Sequence, residues 1–409
     1  MVIQLKNVLY LDYFFPPLEA DWRGIAFAKY LPEFGWKPIV ISADESVSYW
    51  KDYSLLKEVP ENLEIIRVPH REPSKSWRAL KRKLKMNADF PDYYKDWYHP
   101  AYSEARTILL RQKIDLIYSA SPTFTTAFVA MQLKKEFNIP WVADFLDGWA
   151  VNDFFSKECD ETLAQPLRWF HKLRVQRAER RILQSADRTV VISWHVKQRL
   201  CELHGVDEDR INVVTDGYDE TAFSQLTSVD MFGDRLTIVF LGSFYRHFSE
   251  PIRTFLNVVK ELDGNAEIVF VGRAAIPVHT LHAGNVTCIL NVPRSKALSF
   301  GLGSDFLLVV MPGFAKWIPT KIYDYLRLGK PILALVPEDG DAAKIVREAK
   351  AGYVLSYDAG EMIQQLKAIL EQWKRGDLKH FHPDVDYVKQ FERRKLTQTI
   401  VDVFNTVAV

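Results

Sequence analysis

The fold is decided by the stretch Ile318-Pro319-Thr320-Lys321-Ile322-Tyr323-Asp324-Tyr325-Leu326-Arg327-Leu328-Gly329-Lys330-Pro331-Ile332. It predicts one short helix that leads into a buried strand. Pro319 suits the first helical position, because its missing N–H would be unpaired there anyway. Gly329 suits the left-handed position that ends a helix, and Pro331 prevents the helix from continuing. The apolar run at 332–336 is typical of a parallel strand that is covered on both faces.

Two charged residues share one face of this helix. Lys321 and Asp324 are three positions apart, which places their Cβ atoms roughly 5–6 Å from each other. The face begins at a helix N-terminus, where free N–H groups and the helix dipole favour a phosphate. Lys321 adds a positive point charge, and the Asp324 carboxylate can accept two hydrogen bonds from a ribose diol. The arrangement fits a nucleotide diphosphate; the alternative is an exposed Lys–Asp pair on an ordinary helix.

Composition and charge indicate a globular chain. Of its 409 residues, 48% are hydrophobic and 26% are charged, and the net charge of +1 gives no overall case for nucleic acid as a partner. The three cysteines (159, 201 and 288) form no Cys-x-x-Cys pair. We therefore expect neither a disulfide framework nor a structural zinc site. A reducing cytosol fits this use of cysteine best. The N-terminus does not resemble a signal peptide, and no apolar stretch reaches the roughly 18–20 residues of a spanning helix.

Short apolar strands alternate with helical segments along the chain, which predicts a parallel α/β architecture. Strand signals lapse between Asp216 and Gly233, so we expect two α/β halves with a boundary in this region. Ligands of such sheets lie outside the carboxyl ends of the strands, and two facing halves create a cleft there. The segment from Phe391 to Val409 predicts a last amphipathic helix.

Six segments of the chain resemble the bacterial retaining glycosyltransferases of family 4, which have the GT-B fold, and they occur in the order of that family. The segments are 15–36, 141–149, 185–193, 213–219, 242–245 and 319–326. The resemblance implies two Rossmann-like domains that face each other across a cleft. Residues 1–215 would bind the acceptor, residues 216–383 would bind the nucleotide sugar, and residues 384–409 would cross back onto the first domain.

The resemblance also implies an activity. A sugar would move, with retention of its anomeric configuration, from a nucleotide-diphosphate donor to a saccharide or lipid-linked acceptor in surface polysaccharide biosynthesis. No cofactor or metal ion is implied. The donor-binding residues would be Lys321, Asp324, Arg246, Gly242, Ser243 and Thr320. Trp22, Arg23 and Thr123 would lie on the acceptor side or line the cleft.

Two aspartates are candidates for a catalytic role. Asp144 and Asp147 come just after a predicted strand, where they could orient or deprotonate an acceptor hydroxyl. The alternative is that each of them caps a helix or hydrogen-bonds within its loop. On the donor side, Lys321 and Arg246 would neutralise the leaving diphosphate, and Gly242 would let the backbone approach the ligand closely.

The sequence departs from the family pattern in several places. Leu146 and Gly148 stand where the family has arginine and proline, and the basic residue after Gly242 is not in strict register. The loop at 18–22 lacks the adjacent glycines of the family, Ala127 stands where a histidine is often found, and Lys316 replaces the first of two acids. A second hypothesis is therefore a non-catalytic relative that binds a sugar nucleotide or acts as a scaffold. A third is an epimerase of sugar nucleotides, which would need acidic and histidine groups that converge on the sugar.

Segment 74–86 is strongly basic, and its apolar residues Trp77, Leu80 and Leu84 have helical spacing. Such a helix could lie on an anionic membrane surface, where a lipid-linked acceptor would be found. The alternative is a solvated basic face. The basic helix predicted at about 163–184 repeats this pattern. We expect a cytoplasmic protein, which is peripheral at the inner face of the membrane if this helix lies on lipid and not if the face is only solvated.

Overall fold

The structure of the chain is a computed structural model that describes residues 5–18, 22–47, 51–70, 74–84, 89–152, 155, 159, 161, 163–229, 233, 235–243, 249–262, 266–273, 286–313 and 316–408. The chain divides into two compact units. Unit 1 contains residues 1–215 and 393–409, and unit 2 contains residues 216–392. The chain therefore leaves unit 1 at Asp216 and re-enters it at Arg393.

Unit 1 is built on a parallel sheet of seven strands. The strands are β1 (Lys6–Leu11), β2 (Trp36–Ala43), β3 (Glu64–Val68), β4 (Leu116–Ala120), β5 (Trp141–Asp144), β6 (Arg188–Val191) and β7 (Ile211–Val213). Their spatial order is β3-β2-β1-β4-β5-β6-β7. The order reverses between β1 and β4, which is the switch point of a doubly wound sheet.

Helices connect these strands. They are α1 (Trp22–Tyr30), α2 (Lys75–Lys83), α3 (Tyr98–Arg111), α4 (Phe124–Phe137), α5 (Gln165–Ser185) and α6 (Trp194–His204). Short 3-10 helices occur at Leu31–Phe34, Tyr53–Glu58, Lys95–Trp97 and Glu208–Arg210. The long basic helix expected at about 163–184 is α5.

Unit 2 repeats the plan with six parallel strands. They are β8 (Thr237–Leu241), β9 (Glu267–Gly272), β10 (Val286–Leu290), β11 (Phe306–Val310), β12 (Ile332–Leu335) and β13 (Gly352–Val354). The helices are α7 (Ser249–Leu262), α8 (Arg294–Leu302), α9 (Lys321–Leu328), α10 (Asp341–Glu348), α11 (Ala359–Lys374) and α12 (Val385–Lys389). The order β10-β9-β8-β11-β12-β13 places the switch point between β8 and β11.

The central strands of both sheets are buried on both faces. Every residue of β4, β8, β11 and β12 is buried. Helices that cover both faces of a parallel sheet remove the need for polar alternation, so these strands are nearly continuous apolar runs. The predicted fold class, an α/β chain with two Rossmann-like sheets, is confirmed.

The helix at the opening stretch begins later than expected. α9 starts at Lys321 with Thr320 as its N-cap, whereas Pro319 lies outside it and accepts the N–H of Ile322 at 3.0 Å. The predicted end is confirmed: Gly329 has φ +71° and donates its N–H to the carbonyl oxygens of residues 325 and 326. The left-handed conformation costs glycine no steric clash, so the helix ends there.

The last helix belongs to unit 1. α13 (Arg393–Asn405) packs Phe404 edge-on against Trp36 and Tyr118, with ring centroids 5.3 and 5.4 Å apart. Lys6 donates from Nζ to the carbonyl of Ala408 at 2.7 Å. The expected crossing segment began at residue 384, but residues 384–392 lie with unit 2.

Contacts within unit 2 hold segment 384–392. The Phe391 ring packs against Tyr323, 5.1 Å between centroids, and the Tyr387 hydroxyl donates to Glu348 at 2.5 Å. The return to unit 1 therefore begins only at Arg393. Among the helices that the structure describes, none has the length and apolar character needed to cross a bilayer.

Candidate active site

Two glycines form a glycine surface at the carboxyl ends of β8 and β9, next to the switch point of unit 2. Gly242 follows β8 with φ +100°, and its N–H donates to the carbonyl of Val271 at 2.8 Å. Gly272 ends β9 with φ +149°, and a Cβ built there would lie 2.2 Å from the Gly242 carbonyl oxygen. Both positions therefore require glycine, and the backbone of Gly242 is exposed where ligands of such sheets bind, whereas Gly272 is half-buried against it. Asn291, after β10, extends the same edge by donating its N–H to the Gly272 carbonyl at 3.0 Å.

Lys321 brings a cation to this glycine surface. Its Nζ is buried and lies 3.5 Å from the ring centroid of Phe240, the residue two before Gly242. A Cβ built on Gly242 would be 3.5 Å from the same Nζ, so the two predicted donor residues lie side by side. Burial lowers the pKa of Lys321 from its ordinary value of 10.5 to about 7. An anion placed here would favour the charged form of the lysine.

Asp324 is held by an arginine that the sequence analysis missed. Arg294 donates from Nη2 to both carboxylate oxygens, at 2.7 and 2.9 Å. Arg294 is the first residue of α8 and comes soon after the end of β10, so the pair lies beside the edge that the glycines form. A ribose diol at Asp324 would therefore meet a carboxylate–guanidinium pair. The sequence did contain a signal for Arg294, because it is a basic residue that follows Pro293 shortly after the end of β10.

The remaining predicted donor residues have simpler surroundings. Thr320 is exposed at the N-cap of α9, and its side chain makes no capping hydrogen bond. Ser243 is half-buried directly after Gly242. Arg246 lies outside the described residues.

In unit 1, Asp144 is the centre of a buried polar network. It ends β5, is 2% exposed, and accepts hydrogen bonds from Arg23 Nε (3.0 Å), the Tyr118 hydroxyl and the N–H of Leu146 (3.1 Å). Arg23 also donates from Nη1 to the carbonyls of residues 214–215, at 2.7 and 2.6 Å. Burial and the neighbouring carboxylate raise the pKa of Tyr118 well above its ordinary value. These contacts favour a structural role for Asp144 and Arg23, and their predicted functional roles stay predictions.

Asp147 lies on the loop that follows β5. Asp147 is half-buried, whereas Asp144 is buried. Leu146 and Gly148, on either side of it, have φ values of +48° and +73°. A non-glycine residue with positive φ is uncommon and requires support from its surroundings. The loop is therefore held in a defined conformation around Asp147.

Glu179, on α5, supplies much of this support and was also missed. It is fully buried, and its Oε1 accepts the N–H groups of Trp149 (2.6 Å) and Ala150 (3.1 Å). Its Oε2 lies 2.7 Å from Nε2 of His204. A buried carboxylate that accepts three hydrogen bonds fixes the backbone just after Asp147. The sequence signal was a glutamate at an inward position of an otherwise basic helix.

The two remaining predictions for the acceptor side fall at helix N-termini. Trp22 is the first residue of α1, and the Arg393 guanidinium lies 5.8 Å from its ring centroid. Thr123 is 2% exposed at the N-cap of α4, where its carbonyl accepts the Thr126 hydroxyl at 2.6 Å. Contact of either residue with an acceptor stays a prediction.

A cluster near the ends of β1 and β3 was not anticipated. Tyr13 follows β1 and hydrogen-bonds through its hydroxyl to Nδ1 of His70, which follows β3. The Tyr94 ring packs against Tyr13 with 4.3 Å between centroids. Two residues before it, Asp92 accepts both the N–H and the hydroxyl of Thr125 at 2.8 Å, and burial raises the pKa of Asp92. Within the described part of the chain, no group of three or more His, Cys, Asp or Glu side chains could hold a metal ion.

Comparison with known proteins agrees with this architecture. Residues 25–222 match the sequence family described as Glycosyltransferase Family 4. The fold matches the crystal structure of HepE from Anabaena in complex with UDP-glucose, with a TM-score of 0.67 and 13% identity over 98% of this chain and 100% of that one. A search of the curated proteins found no match.

Two further solved structures share the fold at low identity. Sucrose-phosphate synthase from Thermosynechococcus elongatus has a TM-score of 0.64 and 14% identity over 98% of both chains. A putative UDP-N-acetylglucosamine 2-epimerase from Listeria monocytogenes has a TM-score of 0.58 and 12% identity over 98% of this chain and 96% of that one. The chain therefore has the GT-B fold that the resemblance predicted, and its residues 25–222 match the glycosyltransferases of family 4.

Proposed function

We propose that the chain transfers a sugar from a nucleotide-diphosphate donor to a saccharide or lipid-linked saccharide, with retention, in surface polysaccharide biosynthesis. The observation that carries the proposal is the buried Nζ of Lys321 beside the exposed backbone of Gly242, against which Gly272 packs. A diphosphate fits such a place, because an anion favours the charged form of a buried lysine and Gly242 has no side chain to keep a ligand from its backbone.

In the proposed donor complex, the diphosphate lies against Gly242 and the first turn of α9. Lys321 and the positive end of the α9 helix dipole stabilise the negative charge that grows on the leaving diphosphate. The ribose diol contacts Asp324 together with Arg294. UDP-sugars are the first donors to test, because the HepE structure with the same fold contains UDP-glucose.

The chemical step is proposed to occur on one face of the sugar. The bond between the anomeric carbon and the phosphate oxygen breaks, the acceptor oxygen bonds to the same carbon, and the acceptor proton passes to the departing phosphate. No separate base is then required. Asp147 is proposed to orient the acceptor hydroxyl through a hydrogen bond, and the supported loop around it suits that task.

The experiment is to incubate the protein with a panel of nucleotide sugars and saccharide acceptors, and to follow nucleotide release and product configuration. Transfer with retention supports the proposal. Lys321→Met should weaken donor binding and slow transfer, whereas Lys344→Met, on the exposed face of α10, should leave both unchanged. Transfer by the Lys321 variant at the parent rate would refute the proposed donor site.

A non-catalytic relative is the second candidate, because Asp324 is already bound by Arg294 and Lys316 pairs with Asp339 instead of offering an acid. Nucleotide binding without hydrolysis or transfer would favour it. Interconversion of two nucleotide sugars without an acceptor would indicate an epimerase instead. We further propose that the acceptor is met at the inner face of the membrane, with segment 74–86 on anionic lipid.

A further inference from the structure

The outer face of α5 carries a stripe of arginines. Arg174, Arg177 and Arg181 are exposed and follow Phe170 at intervals of four, three and four residues, which places all four on one helical face. Within the described part of the chain, neither Arg177 nor Arg181 forms an ion pair. Among the described residues, no acidic side chain therefore neutralises Arg177 or Arg181.

Aromatic residues stand at the N-terminal end of the same helix. Trp169 and Phe170 are each 61% exposed, and their rings pack edge-on with centroids 4.9 Å apart. α5 contains six basic residues and one acidic residue, Glu179, which is buried. Exposed aromatic rings that continue into a row of arginines are typical of helices that lie in a membrane interface.

A second helix adds to this surface. α2 exposes Trp77 and Leu80, and Leu84, directly after α2, is exposed as well. Both helices contact the two-residue segment 89–90: Lys81 of α2 donates to Asp89 at 2.7 Å, and the Arg174 guanidinium lies 3.9 Å from the ring centroid of the next residue, Phe90. The two helices are therefore neighbours, and the exposed apolar residues of α2 lie near α5.

We propose that α2 and the outer face of α5 together form one surface that docks on an anionic phospholipid bilayer. Both parts combine exposed rings, which insert into the interface, with basic residues, which are attracted to anionic headgroups. A soluble polyanion would pair with the arginines but would not bury the exposed aromatic and aliphatic side chains. The chain as a whole carries a net charge of only +1, so this attraction is local to the surface.

The proposal deepens the proposed function, since it gives a lipid-linked acceptor a place to meet the protein. Its test uses neither nucleotide nor acceptor. A protein that binds vesicles but transfers no sugar would refute the activity alone, and one that transfers sugar without binding vesicles would refute this surface alone.

The experiment is vesicle flotation of the full chain with phosphatidylcholine alone and with phosphatidylcholine mixed with phosphatidylglycerol, at low and high salt. We expect binding only to the anionic vesicles, weakened by salt. Trp169→Ser with Phe170→Ser should lower the partition coefficient about tenfold. Arg177→Gln with Arg181→Gln should lower it about fivefold per residue at low salt and reduce its salt dependence.

Matched controls exist on α3, where Leu110 and Arg111 are exposed. Leu110→Ser and Arg111→Gln should leave binding unchanged, and all variants should melt at the parent temperature because the side chains are exposed. Parental binding by both α5 variants, or equal binding to neutral and anionic vesicles, would overturn the proposal. Binding to heparin without binding to vesicles would assign the arginines to a soluble polyanion and would also overturn it.

Discussion

Lys321 should couple nucleotide binding to proton uptake. Burial lowers its pKa to about 7 in the free protein, so the ammonium is largely deprotonated at higher pH. A bound diphosphate favours the charged form and should return the pKa toward 10.5. A return from about 7 to about 10.5 corresponds to a coupling free energy between Lys321 protonation and nucleotide binding of at most about 5 kcal/mol.

The pH dependence of affinity follows from these two pKa values. If the bound state fully restores the ordinary pKa, affinity for uridine diphosphate should fall about 50-fold from about pH 7 to about pH 9, which is about 2.3 kcal/mol. The terminal phosphate of the nucleotide ionises near pH 6, so its charge hardly changes over this range. The fall in affinity therefore reports the lysine.

Isothermal titration calorimetry in two buffers with different ionisation enthalpies measures this coupling. Near pH 8 to 9 we expect an uptake of about one proton per nucleotide bound by the parent protein. Lys321→Met should bind more weakly at about pH 7, with an affinity that no longer changes with pH and with no proton uptake. Parental binding that is independent of pH and takes up no proton would refute a buried lysine at the diphosphate.

The same pKa predicts how the stability of the unliganded protein varies with pH. Because the folded-state pKa lies below the unfolded-state value, the unfolded chain binds more protons between about pH 7 and about pH 10.5. The contribution of Lys321 to the free energy of unfolding therefore rises with pH across this window. Measured by urea unfolding, the free energy of unfolding of the parent protein should rise with pH across this window. The Lys321→Met variant should lack this contribution.

Three further substitutions test the loop and the glycine surface. Asp147→Asn should lower kcat about 10- to 100-fold in initial-rate assays with donor affinity unchanged; an unchanged kcat would remove Asp147 from the site. Glu179→Ala leaves two buried backbone N–H groups without their acceptor and should lower the free energy of unfolding in urea by about 2–5 kcal/mol, whereas Glu179→Gln keeps an acceptor and should lose less. Equal losses would show that hydrogen bonding there contributes little. Gly272→Ala should destabilise by about 1–3 kcal/mol or more and impair nucleotide binding, because its Cβ has no space; Gly205→Ala, with φ +62° and no atom within 4 Å, should cost only about 1–2 kcal/mol in a thermal melt and keep binding.

The sequence carried clear signals for the local structure of the donor region. The strand, glycine and helix signals around Gly242 and Lys321 depend on residues within a few positions of each other, and the end of α9 at Gly329 falls where they predicted. The start of α9 differs because a proline is compatible with both the first turn and the segment before it. The order of the strands in the folded sheet then brings Lys321 and Gly242 together.

Other site features depended on packing between distant parts of the chain. Arg294 reaches Asp324 across 30 positions of sequence, and Arg23 reaches Asp144 across 121. Sequence reasoning could not decide which of many charged residues would pair, because each pairing depends on how the helices pack on the sheet.

By itself, the sequence determined the parallel α/β class, the two halves and a basic residue at the start of one helix, since each follows from periodicity and turn chemistry over short distances. Only the tertiary structure decided that the Lys321 ammonium is buried against Phe240, that Glu179 holds the loop of Asp147, and that Asp144 is enclosed. Burial and pairing are set by whatever the rest of the chain packs around a group, and that information is not local to any stretch of residues.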